Sequence, residues 1–206
     1  MSDSEKKQCS RALLLFIKNP IKGRVKTRLA ASVGDDRALE IYKELLAHTQ
    51  GVSIGLKDTH RILFYDKAIE RKDDWSEDLF NKQIQSEGDL GTKMEHAFNY
   101  AFDQAFEKVV IIGSDCAQIS VSDIEHAYEA LDHVDVVYGP AMDGGYYLCG
   151  LRLKNNVVFQ LKAWSTNTVL EESIALCSAA GLSVSLLRTL SDIDTIEDWQ
   201  RYGFSS

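Results

Sequence analysis

The chain has 206 residues, 45% hydrophobic and 26% charged with only two prolines, a composition that suits a globular protein with a substantial core and excludes disordered, fibrous and repetitive architectures. A formal net charge of −8 argues against a nucleic-acid surface, which needs a basic face, and no apolar run is long enough to insert into a membrane. The balance is uneven: residues 1–30 hold eight Lys and Arg against Asp3 and Glu5, a net +6 that leaves −14 on the remainder.

The polar start, residues 1–10, is expected to be flexible. The apolar run Ala12–Ile17 that follows is too short for a signal peptide and reads as a strand buried on both faces, so a cytoplasmic protein is expected. Ala38, Ile41, Tyr42, Leu45 and Leu46 then share one helix face. Arg61–Tyr65 and Gln83–Ser86 are strand candidates, and Leu90 to Ala105 carries a helical stripe through Met94, Ala97, Phe98, Ala101 and Phe102. Val109–Ile112 is a second buried strand, followed by a helix stripe of Val121, Ile124, Ala127 and Leu131. Val134–Tyr138 and Tyr146–Leu151 are two strands in succession with no helix between them, so the alternation breaks there. Leu170, Ile174 and Cys177 mark another helix, Leu182–Leu187 a last strand, and Thr168-x-x-Glu171 and Asp194-x-x-Glu197 have helix-opening spacing. The pattern predicts a three-layer α/β/α fold around a mostly parallel sheet, with residues 1–206 forming a single domain. The cysteines (Cys9, Cys116, Cys149, Cys177) lack zinc-site or disulfide spacing and are expected to be reduced.

Several segments between these elements have the composition of binding loops. After the first strand, Lys18, Lys22, Arg24, Lys26 and Arg28 crowd one turn around Gly23, with Thr27 at the helix start; this suits a pyrophosphate or is simply an exposed basic turn. Gln85-Ser-Glu-Gly-Asp-Leu-Gly91 offers Gly88 and Gly91 at a strand-to-helix turn, suited to a flat base or to an ordinary loop. Gly113-Ser114-Asp115-Cys116 follows a buried strand, where ligands of open α/β sheets bind, so Asp115 is a candidate holder of Mg²⁺ or Mn²⁺. Asp143-Gly144-Gly145-Tyr146 is either a substrate-facing turn or a hairpin. Asp192 and Asp194, two residues apart, project the same way if extended and could share a metal, unless Asp194 is a helix cap. Trp164, beside Ser165 and Thr166, could stack on a sugar or fill the core.

Read in order, K-x-P-x-x-G-x-V-K-T-R-L (Lys18–Leu29), Q-x-x-G-D-L-G-x-K-M (Gln85–Met94), I-G-S-D-C (Ile112–Cys116), G-P-A-x-D-G-G-Y-Y-L (Gly139–Leu148), W-S-T (Trp164–Thr166) and D-I-D-T-x-E-D (Asp192–Asp198) resemble the DUF2064 family. This is the radical-SAM/selenodomain-associated transferase family, also labelled a glycosyltransferase of arsenosugar biosynthesis. The resemblance covers about Leu13 to Trp199 and implies a GT-A-like nucleotide-diphospho-sugar transferase fold, akin to phospholactate and molybdenum-cofactor guanylyltransferases. It further implies donor phosphates at Gly23, Lys26 and Arg28, the base at Gln85 and Gly88, and metal at Asp115, Asp192 and Asp194. Lys18, Thr27, Asp89 and Ser114 complete the candidate nucleotide set. Asp143 would act on the acceptor, which Gly144, Gly145, Tyr146, Trp164, Ser165 and Thr166 would face. Ala117 departs from the proline the family usually carries after Cys116. The expected activity is metal-dependent glycosyl transfer from a nucleotide-sugar to a small-molecule acceptor. The alternatives are nucleotidyl transfer from a nucleoside triphosphate and a non-catalytic nucleotide-binding module.

Overall fold

Odd and even residues of one strand settle the layering. In β1 (Arg11–Ile17), Leu13, Leu15 and Ile17 enter one apolar cluster and Ala12 and Leu14 another, so the strand is covered on both faces. The computed structural model describes residues 10–161, 163, 164 and 166–204. The expectation of a flexible start thus falls outside the described residues except at Ser10. That residue is tied down, its carbonyl accepting the N–H groups of Glu107 and Lys108 at 2.8 and 3.0 Å.

After β1 come α1 (Thr27–Gly55), β2 (His60–Tyr65), β3 (Asn81–Ile84), α2 (Leu90–Phe102), β4 (Lys108–Ile112) and α3 (Val121–Ala130). The remainder is β5 (Val136–Pro140), β6 (Tyr146–Leu151), α4 (Val169–Ala179), β7 (Val184–Leu186) and α5 (Ile196–Tyr202), with a 3-10 turn at Val157–Phe159. The seven strands lie in the order β3-β2-β1-β4-β6-β5-β7. All pairs are parallel except those of β6, which runs antiparallel to both β4 and β5. Tyr42 and Leu46 of α1 and Ile124 and Ala127 of α3 cover one face; Met94 and Phe98 of α2 and Cys177 of α4 cover the other. This is the expected α/β/α arrangement, and the break in alternation is the inserted strand β6. The Asp-Gly hairpin reading holds: Gly145 N–H donates to Asp143 Oδ1 at 2.9 Å, and Ala141 N–H to Gly145 O at 3.0 Å.

Several expectations need correction. The first helix runs from Thr27 to Gly55, far beyond the Ala38–Leu46 stripe, and its regular backbone is interrupted at Gly34 (φ 80°, ψ 161°). Thr168 stands at the N-cap of α4 as its spacing implies, but its hydroxyl makes no capping bond and donates instead to Glu172 Oε1 at 2.7 Å. The C-terminal cap is shifted by one residue. Thr195 and Asp198 form the capping box of α5, so Asp194 is not its cap. Helix α2 stops at Phe102, and Ala105 lies beyond it with φ 64°. Strand β3 begins earlier than Gln83 because Asn81–Ile84 pairs with Ile62–Tyr65. Cys116, Cys149 and Cys177 are free and buried, and no helix among the described residues is long and apolar enough to cross a membrane.

Candidate functional site

Parallel strands deliver their C-terminal ends to one rim, and the antiparallel β6 starts there. Lys18, Asp66, Gln85 and Gly113–Asp115 follow β1, β2, β3 and β4, while Asp143 lies in the β5–β6 turn. The C-terminal segment reaches the same rim. Leu190 bridges to Ala141 beside β5, and Ile193 N–H donates to Asp115 O at 2.8 Å. Those two backbone contacts bring Asp192 and Asp194 to Asp115.

Lys26 meets these acids from the opposite side. It precedes α1 with left-handed backbone (φ 48°, ψ 45°), and its side chain is only 5% exposed. Its Nζ lies 2.7 Å from Asp115 Oδ1, 3.6 Å from Asp194 Oδ1 and 2.6 Å from the carbonyl oxygen of Ile193. Arg28, largely exposed, reaches Asp194 Oδ2 at 3.3 Å. Asp192 differs: among the described residues its carboxylate has no hydrogen-bond or ion-pair partner. Burial first, then the charge of Asp115, push it up to about 7; Lys26 opposes the shift, and Asp143 and Asp194 add to it.

Two adjoining cavities open on this rim. One, of about 670 Å³, is lined by Lys26, Thr27, Arg28, Asp115, Asp143, Gly145, Tyr146, Trp164, Thr166, Asp192 and Asp194. The other, of about 460 Å³, is lined by Phe16, Asp66, Gln85, Lys93, Met94, Ser114 and Cys149 among others. Lys18, Tyr42, Leu90, Asp115, Tyr146 and Asp192 face both. A third cavity, around His60, Arg61 and Arg71, includes none of these residues.

The second cavity has a rigid polar wall. Gln85 Nε2 donates to Ile17 O at 3.2 Å and Phe64 O at 3.3 Å, which leaves its amide oxygen as the group it can offer a ligand. Tyr42 holds the rim from behind: its hydroxyl accepts from Lys18 N–H at 2.8 Å, donates to Lys18 O at 3.0 Å and lies 3.3 Å from Ser114 Oγ.

The remaining candidates sit otherwise. Gly23, Gly88, Asp89 and Gly144 do not line either cavity. Asp89 caps α2, its Oδ1 accepting from Thr92 N–H at 2.8 Å, and Gly144 packs against Asn167. Trp164 lies against Gly91 on the cavity wall. Ser165 lies outside the described residues. Tyr42, Asp66, Leu90, Lys93 and Met94 were not expected to face a ligand. Asp66 follows a buried strand just as the Asp115 loop does, and that is a signal of a rim position; the helical stripe that includes Tyr42 marks only a core face.

A divalent cation fits this donor set. Asp115, Asp143, Asp192 and Asp194 line one cavity and offer it the hard carboxylate oxygens that such ions prefer. Among the described residues no three Asp, Glu, His or Cys side chains form a ready-made metal site.

Residues 52–166 match the family described as an uncharacterized protein conserved in bacteria, DUF2064. A solved candidate nucleotide-diphospho-sugar transferase from Desulfovibrio desulfuricans G20 is similar, with 31% identity, 91% of this chain and 83% of that one covered, and a TM-score of 0.82. At the level of fold alone, 4-diphosphocytidyl-2C-methyl-D-erythritol synthase from Anaerococcus prevotii DSM 20548 shares 12% identity over 95% and 96% of the chains, with TM-score 0.59. So does Rv0371c of Mycobacterium tuberculosis H37Rv, solved as a complex with manganese, at 15% identity over 95% and 100% of the chains and TM-score 0.54. No curated protein matches the chain.

Proposed function

The chain belongs to the DUF2064 family, and on that premise we propose that it is a metal-dependent glycosyltransferase that takes a nucleotide-sugar as donor, the whole chain acting as one transferase domain. The observation that carries the reading is the meeting of Lys26 and Arg28 with Asp115, Asp192 and Asp194 in one cavity that adjoins a second one lined by Phe16, Met94 and Gln85. Diphosphate and sugar would occupy the first and the nucleoside the second. The resemblance to a candidate nucleotide-diphospho-sugar transferase supports this assignment, and the manganese complex of a protein of like fold supports the choice of ion.

In this reading Asp115, with Asp192 or Asp194, holds Mg²⁺ or Mn²⁺. The bound ion would neutralise charge on the departing nucleoside diphosphate. Lys26 and Arg28 add fixed positive charge beside the leaving phosphates, and the Gln85 amide oxygen accepts a hydrogen bond from the base. Asp143 orients the acceptor hydroxyl and takes its proton; its Oδ1 is already fixed by Gly145 N–H, which leaves Oδ2 for that work. Tyr146, Trp164 and Thr166 line the acceptor side.

Nucleotidyl transfer is the second reading. It is favoured by the recessed Asp192 beside Asp115, which gives space and charge for two ions around an attacking phosphate. Release of pyrophosphate rather than nucleoside diphosphate would select it.

The test is a thermal-shift screen of nucleoside diphosphates, triphosphates and nucleotide-sugars, each with and without Mn²⁺. Glycosyl transfer predicts a metal-dependent rise in Tm with a nucleotide-sugar, absent in Asp115→Ala. No shift with any nucleotide, or an unchanged shift in Asp115→Ala, overturns the assignment.

A further inference from the structure

We propose that Lys26 is a built-in counter-cation that occupies the metal-holding carboxylates of the nucleotide-free protein, so that metal binds well only after donor phosphates draw the lysine away. The inference rests on the donor-site reading above and adds to it a coupling between nucleotide and metal.

The geometry carries the argument. The Lys26 ammonium donates to the carbonyl oxygen of Ile193 and forms ion pairs with Asp115 Oδ1 and, more distantly, Asp194 Oδ1, so it is engaged by two chain segments at once. The contact with Asp115 is 2.7 Å, and the Lys26 side chain is almost wholly buried. A magnesium-type ion binds a carboxylate oxygen at about 2.1 Å. Such an ion and an ammonium 2.7 Å from the same oxygen would be two positive charges held nearly in contact, with little water between them. The two cations therefore compete for Asp115.

The lysine has somewhere to go. The cavity of about 670 Å³ that it lines is where the diphosphate would sit, and a four-carbon stem can swing its charge there without moving the backbone. Once it does, Asp115 loses the lysine and Asp194 keeps its contact with Arg28, while Asp192, which among the described residues has no ion-pair partner, lines the same cavity. The carboxylates then favour a divalent ion most strongly when phosphate oxygens are present to complete its shell. Arg28 does not substitute for Lys26, because it is largely exposed and, among the described residues, pairs with Asp194 and not with Asp115. The left-handed backbone at Lys26 is an uncommon conformation for a residue other than glycine.

The experiment titrates the full-length protein with Mn²⁺ alone, reading free ion by electron paramagnetic resonance. It compares the unmodified protein with Lys26→Met and Lys26→Gly, each checked for folding by circular dichroism. Glycine tolerates the left-handed conformation without strain, so one of the two variants should fold. A tightening of Mn²⁺ binding by about tenfold or more in either folded variant is expected, lost again when Asp115→Asn is added. A merely structural lysine would give the opposite sign, since its removal would loosen the site. Mn²⁺ binding of equal or lower affinity in the variants overturns the counter-cation role and leaves the donor-site reading standing. A gain that survives Asp115→Asn also overturns it. No Mn²⁺ binding by any form, with or without added nucleoside diphosphate, overturns both.

Discussion

A β-carbon on Gly144 would stand 1.9 Å from the carbonyl oxygen of Asn167, closer than any non-bonded carbon and oxygen can lie. The glycine also has φ 89°, and its own carbonyl accepts the N–H of Leu170 at 3.0 Å. The β5–β6 turn is thereby clamped to the segment that carries Trp164, Thr166 and Asn167 along the larger cavity. Gly144→Ala must move backbone against backbone and strain φ as well. It should cost about 2–4 kcal/mol, read as a lower urea midpoint at unchanged slope. A β-carbon on Gly145 would lie 3.2 Å from Asp143 Oδ1, a side-chain atom that can give way by a few tenths of an ångström, and the residue has no such φ, so Gly145→Ala should cost less than half as much.

Asp192 pits stability against binding. A recessed carboxylate without a hydrogen-bond or ion-pair partner among the described residues is expensive to bury, and burial is the first cause of its raised value of about 7. Asp192→Asn removes the charge while keeping the shape. At pH 8 without metal it should raise stability by about 1–3 kcal/mol, measured by chemical denaturation. The same variant should weaken Mn²⁺ binding in the presence of nucleotide. A variant that is less stable in metal-free buffer would show that the carboxylate is held by favourable contacts after all.

The segment bearing Asp192 and Asp194 is anchored by an ion pair outside the cavities. Arg188 donates Nε to Asp123 Oδ1 at 2.6 Å and Nη2 to Asp123 Oδ2 at 2.8 Å, with a further bond to Gln118 O at 3.1 Å. The Asp123 side chain is 6% exposed and completes the capping box of α3 with Ser120. Asp123→Ala loses the cap and the ion pair, but the half-exposed guanidinium can turn to water, so a loss of about 1–2 kcal/mol is expected. Arg188→Lys keeps the charge but cannot reproduce the two-pronged contact, and should cost about 1–2 kcal/mol. Both should reduce donor binding beyond the change in folded fraction, because this contact fixes where the C-terminal acids begin.

Much of the framework was legible because burial writes itself into composition. Ala12–Ile17 and Val109–Ile112 are apolar without interruption since both faces are covered, and the Asp-Gly pair marked the hairpin that turns β6 around. Helix α1 was only half visible. Its first turns face solvent, and Gly34 interrupts it, so periodicity began at Ala38. Asp115, Asp143, Asp192 and Asp194 were found from their loops, but the sequence carries no sign that Lys26 would lie among them. That depends on the pairing of Ile193 with Asp115, a contact between distant segments that no local pattern encodes. Asp194 could be freed from a capping role only when Thr195 was seen to fill it.

At the sheet's opposite end, Asp135 should govern the acid limb of stability. Its Oδ2 accepts from Ser183 N–H at 2.9 Å and Ser183 Oγ at 2.6 Å, while Oδ1 takes the Arg152 fork at 3.0 and 2.7 Å. The Ser183 hydrogen bonds, then Arg152, hold its carboxyl at about 2, below the 3.8 of an unperturbed aspartate. Because the folded value is depressed, the contribution to stability is present in full above the unfolded value. It is lost as pH falls from about 3.8 through about 2. Asp135→Asn should therefore be less stable than the unmodified protein at pH 5 and above, and the gap in Tm should narrow steadily as the buffer is taken toward pH 2. Asp135 joins the start of β5 to Ser183 just before β7, far along the strands from the rim, so donor binding at pH 7 should survive the change wherever the variant is folded. A gap that stays constant between pH 5 and pH 2 would mean that Asp135 supports this corner through shape and neutral hydrogen bonding rather than through its charge.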